Sequence, residues 1–314
     1  MNPWWASRLP ALLKRFWLKG DKHMNISRRH LLAGLAAGPL LAGPEIRRQS
    51  GTRVKIGLNA YSFNKPLMAG TMKIPEVIEY CAQQQIDGVD LTGYYFPGYP
   101  NVPSDEYVRS VKRTAFLNGV TIIGTGVRND FTLTDGPQRK LQVQLVKNWV
   151  EVAAKLGSNM VRVFSGKEVP KGYTFDQVLE YMVPAFKECA DYGKQHGIII
   201  GLQHHHDFLK TAEETIRVVK AVDSDWFSVI LDVGSVRQGD PYKEIERLIP
   251  YASNWQIKEH VWYDAKKTAI DLPKLRGLID KIGYRGFAPI EALGEGDPKE
   301  VVTTFLKQVR KSFA

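Results

Sequence analysis

Residues 198–203 read IIIGLQ and run straight into HHHD at 204–207. A short β-branched, aliphatic run that stops abruptly on polar groups is the pattern of a buried strand presenting side chains at its end. Gly197, just before it, fits a helix C-terminus. Working outward, the same unit recurs. Short apolar runs lie at 54–63, 88–91, 120–126, 160–164, 198–203, 227–232, 254–258 and 287–291. Helical patterns fill the intervals. Leu141, Leu145, Trp149, Val152 and Leu156 share one face, as do Phe175, Val178, Leu179, Met182 and Phe186, with Pro184 expected to kink that second helix. Asp297-Pro298 supplies an N-cap and N1 proline ahead of Val301, Val302, Phe305, Leu306 and Val309. Gly119, Gly157, Gly197 and Gly283 each close a helix before a strand.

Eight strand–helix pairs in strict alternation predict a parallel sheet, and eight is the number that closes it. The expected fold is α/β, a single (β/α)8 TIM barrel over residues 54–314. That span suits the ~250 residues typical of the architecture. A doubly wound open sheet is the alternative, but no G-x-G-x-x-G follows the first strand.

The chain has 314 residues, 44% hydrophobic and 24% charged, which excludes disordered, collagenous and multi-span membrane classes. Its net charge is +10. Ten of the 43 basic residues but only two of the 33 acidic ones fall in residues 1–53, so that segment carries +8 and the remainder +2. The excess marks an N-terminal extension and not a nucleic-acid-binding face. Within it, residues 24–43 read MNISRRHLLAGLAAGPLLAG. Arg28 and Arg29 precede an apolar stretch too short to span a bilayer, which predicts a twin-arginine-type export signal and a periplasmic destination. No good A-x-A triplet precedes residue 45, so an uncleaved tether is the other expectation, and Met24 is a candidate start. Cys81 and Cys189 fall in separate helices and read as buried apolar side chains.

In such a barrel, chemistry sits at the C-terminal ends of the strands. The polar residues there are Asp90, the trio Arg128, Asn129 and Asp130, then Arg162, Gln203, Asp232, Gln256, Lys258, Glu259, His260 and Glu291. Acids ending apolar strands are costly unless paired or metal-bound, which favours function for Asp232 and Glu291. Asp90 and Arg162 read equally as a buried ion pair. On extended backbone, consecutive side chains alternate sides, so His204-His205-His206 is no three-ligand zinc site. His205, two residues after Gln203, is expected to face the site, and His204 to lie partly exposed in the loop. The aromatic loop Tyr94-Tyr95-Phe96-Pro97-Gly98-Tyr99 and Trp262 suit either sugar stacking or rim packing.

GLQHHH at 201–206, LDVGS at 231–235, WQIKEH at 255–260 and PIEALGEGDP at 289–298 together resemble the xylose-isomerase-like barrels, the sugar phosphate isomerase/epimerase family. The resemblance covers essentially all of residues 54–314. It implies one divalent metal held by Glu, Asp, His and Glu from the last four strands. Those positions here are Gln203, Asp232, Gln256 and Glu291, two of them departures. Two carboxylates and two amides suit Mn²⁺ or Mg²⁺ better than Zn²⁺.

The resemblance implies proton transfer beside a carbonyl, usually by two facing glutamates. Gln203 cannot serve as a base, so Glu291, His205 or Lys258 takes that part, with Arg162 or Lys258 beside the metal as electrophile. Asp90, Tyr94, His206 and Trp262 are the candidate substrate contacts. The expected substrate is an unphosphorylated keto sugar or glycoside, because sugar phosphates are cytoplasmic. Isomerase or epimerase chemistry leads, followed by a lyase or hydratase on 3-keto glycosides and then a non-catalytic sugar-binding barrel. A DNA-repair barrel needs a multi-metal cluster and a basic face, which a +2 body does not offer. No nucleic-acid partner is expected, and membrane contact only through the N-terminal signal.

Overall fold

The computed structural model describes residues 45–46, 53–205, 207–264 and 266–313. The expected export signal and His206 lie outside the described residues. The strands in chain order are β1 (Arg53–Asn59), β2 (Gly88–Thr92), β3 (Thr121–Gly126), β4 (Met160–Phe164), β5 (Ile199–Gln203), β6 (Phe227–Asp232), β7 (Ala252–Lys258), β8 (His260–Tyr263), β9 (Lys266–Ala269) and β10 (Arg285–Glu291). All except β8 and β9 form one closed barrel in sequential order, in which β10 returns to pair with β1 and every neighbouring pair is parallel. This is the (β/α)8 TIM barrel that the alternation predicts.

The helices are α1 (Asn64–Met68), α2 (Ile74–Gln83), α3 (Asp105–Leu117), α4 (Gly136–Leu156), α5 (Phe175–His196), α6 (Ala212–Val222), α7 (Pro241–Leu248), α8 (Leu272–Lys281) and α9 (Pro298–Phe313). Their starts are written in the sequence. Thr174 with Gln177, and Thr211 with Glu214, form reciprocal capping boxes. Asp135, Asp240 and Asp271 each cap a helix whose first turn holds a proline. Each cap stabilises its helix by about 1 kcal/mol. Gly157 (φ 78°) and Gly197 (φ 69°) end α4 and α5 in the left-handed region, where a side chain is strained. Trp149, Val152 and Leu156 of α4 are buried against the barrel, and so are Val178, Met182 and Phe186 of α5.

Two local readings change. The first apolar run divides: β1 stops at Asn59, whose side chain accepts the Tyr61 N–H and turns Ala60–Phe63 into a 3-10 helix. Leu141, in the second turn of α4, is exposed and does not share the buried face of Trp149, Val152 and Leu156. Pro184 lies inside α5, which continues from Phe175 to His196. The antiparallel hairpin β8–β9 went unread, because its short, largely exposed strands carry no apolar alternation. Cys81 and Cys189 are buried free thiols, as expected. Among the described residues no helix is long and apolar enough to cross a membrane.

Candidate active site

The C-terminal ends of the barrel strands surround a cavity of about 660 Å³. Its lining includes Asn59, Tyr61, Tyr94, Arg162, Gln203, His205, Asp207, Gln256, Lys258 and Glu291. Seven of these stand at the strand-end and loop positions that the sequence singles out. The ladders bring them together: Glu291 lies opposite Lys258 between β10 and β7, and Asp232 opposite Gln256 between β6 and β7.

At the centre lies a polar cluster. The Lys258 ammonium stands 3.0 Å from Asp232 Oδ2 and 3.0 Å from Glu291 Oε1. The fully buried Asp232 also accepts the Gln203 Nε2 amide (2.8 Å), the Ser235 hydroxyl (2.8 Å) and the Gly234 N–H (3.0 Å). Burial alone would push the Asp232 carboxyl upward; the adjacent Lys258 charge outweighs it and holds the group down at about 2. Burial likewise opposes the Lys258 charge, and the two carboxylates overcome it, keeping its pKa above the ordinary lysine value. Gln203 and Gln256 pair through their amides, Gln203 Nε2 donating to Gln256 Oε1 at 2.7 Å.

The histidine run separates as strand alternation requires. His205 lines the cavity beside Gln203, with its Nδ1 2.7 Å from Asp207 Oδ2. His204 points the other way and, contrary to expectation, is buried. Its Nε2 accepts the Asp232 backbone N–H at 3.1 Å, and burial lowers its pKa to about 4, so it is a neutral bracket for β6. Asp207 also lines the cavity: it sits two residues beyond His205 and so returns to the same side.

Arg162 is buried, donates to Tyr94 Oη (3.0 Å) and the Val127 carbonyl (3.3 Å), and lies 4.2 Å over the Phe164 ring. It makes no ion pair with Asp90 among the described residues. Asp90 lies below the cavity, fully enclosed, with Oδ1 lacking a hydrogen-bond partner. Burial raises its pKa to about 6, against the lowering effect of the Arg162 charge and helped by Glu291. Asp90 is therefore not placed to touch a ligand in the cavity. Trp262 is not brought to the cavity either: it belongs to the hairpin, where Arg237 stacks on it at 3.9 Å. Of the aromatic loop, Tyr94 lines the cavity. Phe96 and Tyr99 pack on Trp149, and Tyr95 bonds Asn64. Tyr61, on the 3-10 turn after β1, was read as part of a strand and so missed.

A family model for xylose isomerase-like TIM barrels matches residues 78–309. The chain belongs to that family. Solved structures share its fold at low identity. D-psicose 3-epimerase from Clostridium cellulolyticum H10, solved with D-tagatose, is 18% identical and superposes with a TM-score of 0.67, over 82% of this chain and 99% of that one. An IolI protein with a bound zinc atom is 15% identical, with a TM-score of 0.67, over 82% and 96%. The 3-keto-D-glucoside 4-epimerase YcjR of E. coli is 12% identical, with a TM-score of 0.66, over 83% and 99%. No curated protein matches the chain by sequence.

Gln203, Asp232, Gln256 and Glu291 do converge, as the resemblance implies, but their donors do not suit Mn²⁺ or Mg²⁺. Both carboxylates are bridged by Lys258, and Gln203 donates its Nε2 to Asp232 and Gln256 while its Oε1 accepts from Gln256 Nε2 at 3.4 Å. Asp232 already accepts four hydrogen bonds, the capacity of a carboxylate. Among the described residues no three His, Cys, Asp or Glu side chains are grouped to hold an ion.

Proposed function

We propose that the barrel is an enzyme that removes a proton beside a carbonyl of an unphosphorylated keto sugar or glycoside. One observation carries this reading. One cavity brings together His205 and Glu291, which can transfer protons, with Arg162 and Lys258 among the cations of its lining. Proton removal next to a ketone needs a base and a positive charge near the oxygen that becomes an enolate.

His205 is the better base. Asp207 engages its Nδ1 and so fixes the ring, and proton transfer then runs through Nε2. Glu291, held to Lys258 as a carboxylate, is the alternative proton acceptor, and the His205 imidazolium formed on proton removal supplies the proton returned to carbon or to a leaving oxygen. Arg162, with Tyr94 bound to its guanidinium, orients the sugar hydroxyls. The volume of about 660 Å³ takes a mono- or disaccharide. Family membership and the sugar epimerases of like fold support the carbohydrate class. The absence of phosphate from the substrate follows from the export signal we read in residues 24–43 and the periplasmic location it implies.

A second reading, a lyase or hydratase acting on a 3-keto glycoside, is favoured by one feature. Gln203 is an amide bonded to Asp232, so the symmetric pair of carboxylates for epimerisation is not present. One base and one acid suffice to expel a group from the carbon next to the deprotonated one. The test is incubation with ketoses and 3-keto glycosides in D₂O. Deuterium incorporation beside the carbonyl, lost in Glu291→Gln and His205→Asn, supports the proposal. Saturable sugar binding with neither exchange nor product makes the chain a sugar-binding barrel instead.

A further inference from the structure

We propose that the Lys258 ammonium is the resident cation of this site, standing where a divalent ion would otherwise bind and excluding it. The inference rests on the proposed carbonyl chemistry for its purpose, but its structural basis is independent of any substrate.

Three observations converge on it. The ammonium bridges Asp232 and Glu291 at 3.0 Å each, the two strand-end carboxylates of the last barrel strands. The remaining two positions are amides tied to each other and to Asp232. An ammonium carries one positive charge fewer than a divalent ion, and an amide at 203 in place of a carboxylate removes one negative charge, so the cluster stays balanced. The fold also makes room for the lysine. A Cβ at Gly234 would lie 2.7 Å from Lys258 Cδ, so glycine there opens the path by which the stem reaches between the two acids.

The bridge uses two of the three ammonium donors, and Lys258 lines the cavity. The third donor supplies positive charge to a carbonyl oxygen there, as a Lewis acid would, with no change in coordination. A metal could enter only by displacing a charge that two carboxylates hold in a buried setting, which is costly.

Metal binding by the whole purified protein tests this without substrate. Elemental analysis and calorimetric titration with Mn²⁺ and with Zn²⁺ are expected to show no stoichiometric site in the wild type, and a chelator is expected to leave its Tm unchanged. Lys258→Met removes the cation at similar length and leaves Asp232 and Glu291 facing each other. That variant is expected to bind Mn²⁺ or Zn²⁺ at least tenfold more tightly than the wild type and to gain Tm on adding it. If Lys258→Met does not fold, the wild-type titration alone decides. A wild type that holds one equivalent of divalent metal, loses Tm on chelation, or binds Mn²⁺ as tightly as Lys258→Met overturns the proposal. A protein that neither binds metal nor exchanges sugar protons overturns the carbonyl chemistry while leaving the cation assignment standing.

Discussion

The stem of Lys258 occupies the space that a side chain at Gly234 would fill, with Lys258 Cδ 2.7 Å from where a Cβ would stand. Gly234 also donates its N–H to Asp232 Oδ1 at 3.0 Å, so one residue both anchors the acid and admits its counter-ion. Gly234→Ala forces the lysine or the β6 end to move. Overpacking of this kind costs about 1–3 kcal/mol, and displacement of the ammonium disconnects two buried carboxylates. The expected result is a lower denaturation midpoint together with loss of turnover. A variant with unchanged stability and activity would show that the lysine does not need that path.

Asp90 gives a pH-dependent prediction. Its folded pKa is raised from 3.8 to about 6, so between those values the folded protein binds the proton more tightly than the unfolded chain. Its favourable contribution is complete below about 4 and is lost as pH rises through about 6. Asp90→Asn removes the cost of holding a charge there, roughly 2–3 kcal/mol by linkage at neutral pH. Urea unfolding of both proteins from pH 4 to 8 should show the variant's advantage growing as pH rises and levelling off above about 6. Parallel curves would contradict the assignment.

The His205–Asp207 pair predicts a graded loss. His205→Asn is expected to lower kcat by about 10²–10⁴-fold, the usual contribution of a general base. Asp207→Asn keeps the imidazole but releases its Nδ1, and is expected to lower kcat less. Initial rates and solvent deuterium exchange measured in parallel check both. Equal effects on KM alone would move His205 from proton transfer to binding.

Arg162 reaches two acceptors and lies over an aromatic ring, a geometry an ammonium does not reproduce. Arg162→Lys is expected to reduce kcat/KM by roughly 10–100-fold, the value of a lost charged hydrogen bond. Tyr94→Phe, which removes one partner of the guanidinium, should cost less. Steady-state kinetics on the two variants decides the order.

Much of the barrel is legible in the chain because its signals are local. The β4 and β6 boundaries coincide with their apolar runs, and helix ends fall on capping residues and glycines. Alternation along β5 also places Gln203 and His205 on one side. The hairpin after β7 escaped because four-residue, exposed strands bury too little apolar surface to leave a pattern.

The eight alternating units, and which polar residues end the strands, are already set along the chain, since periodicity and capping depend on near neighbours. Tertiary structure decided what those residues do to one another. Lys258 and Glu291 are 33 positions apart and Asp232 lies on a third strand; only the register of β6, β7 and β10 around a closed barrel sets their separations. A lysine stem is long enough to leave its ammonium at many points in the cavity. The two carboxylates and the open path beside Gly234 select one of them, and with it the kind of cation the site holds.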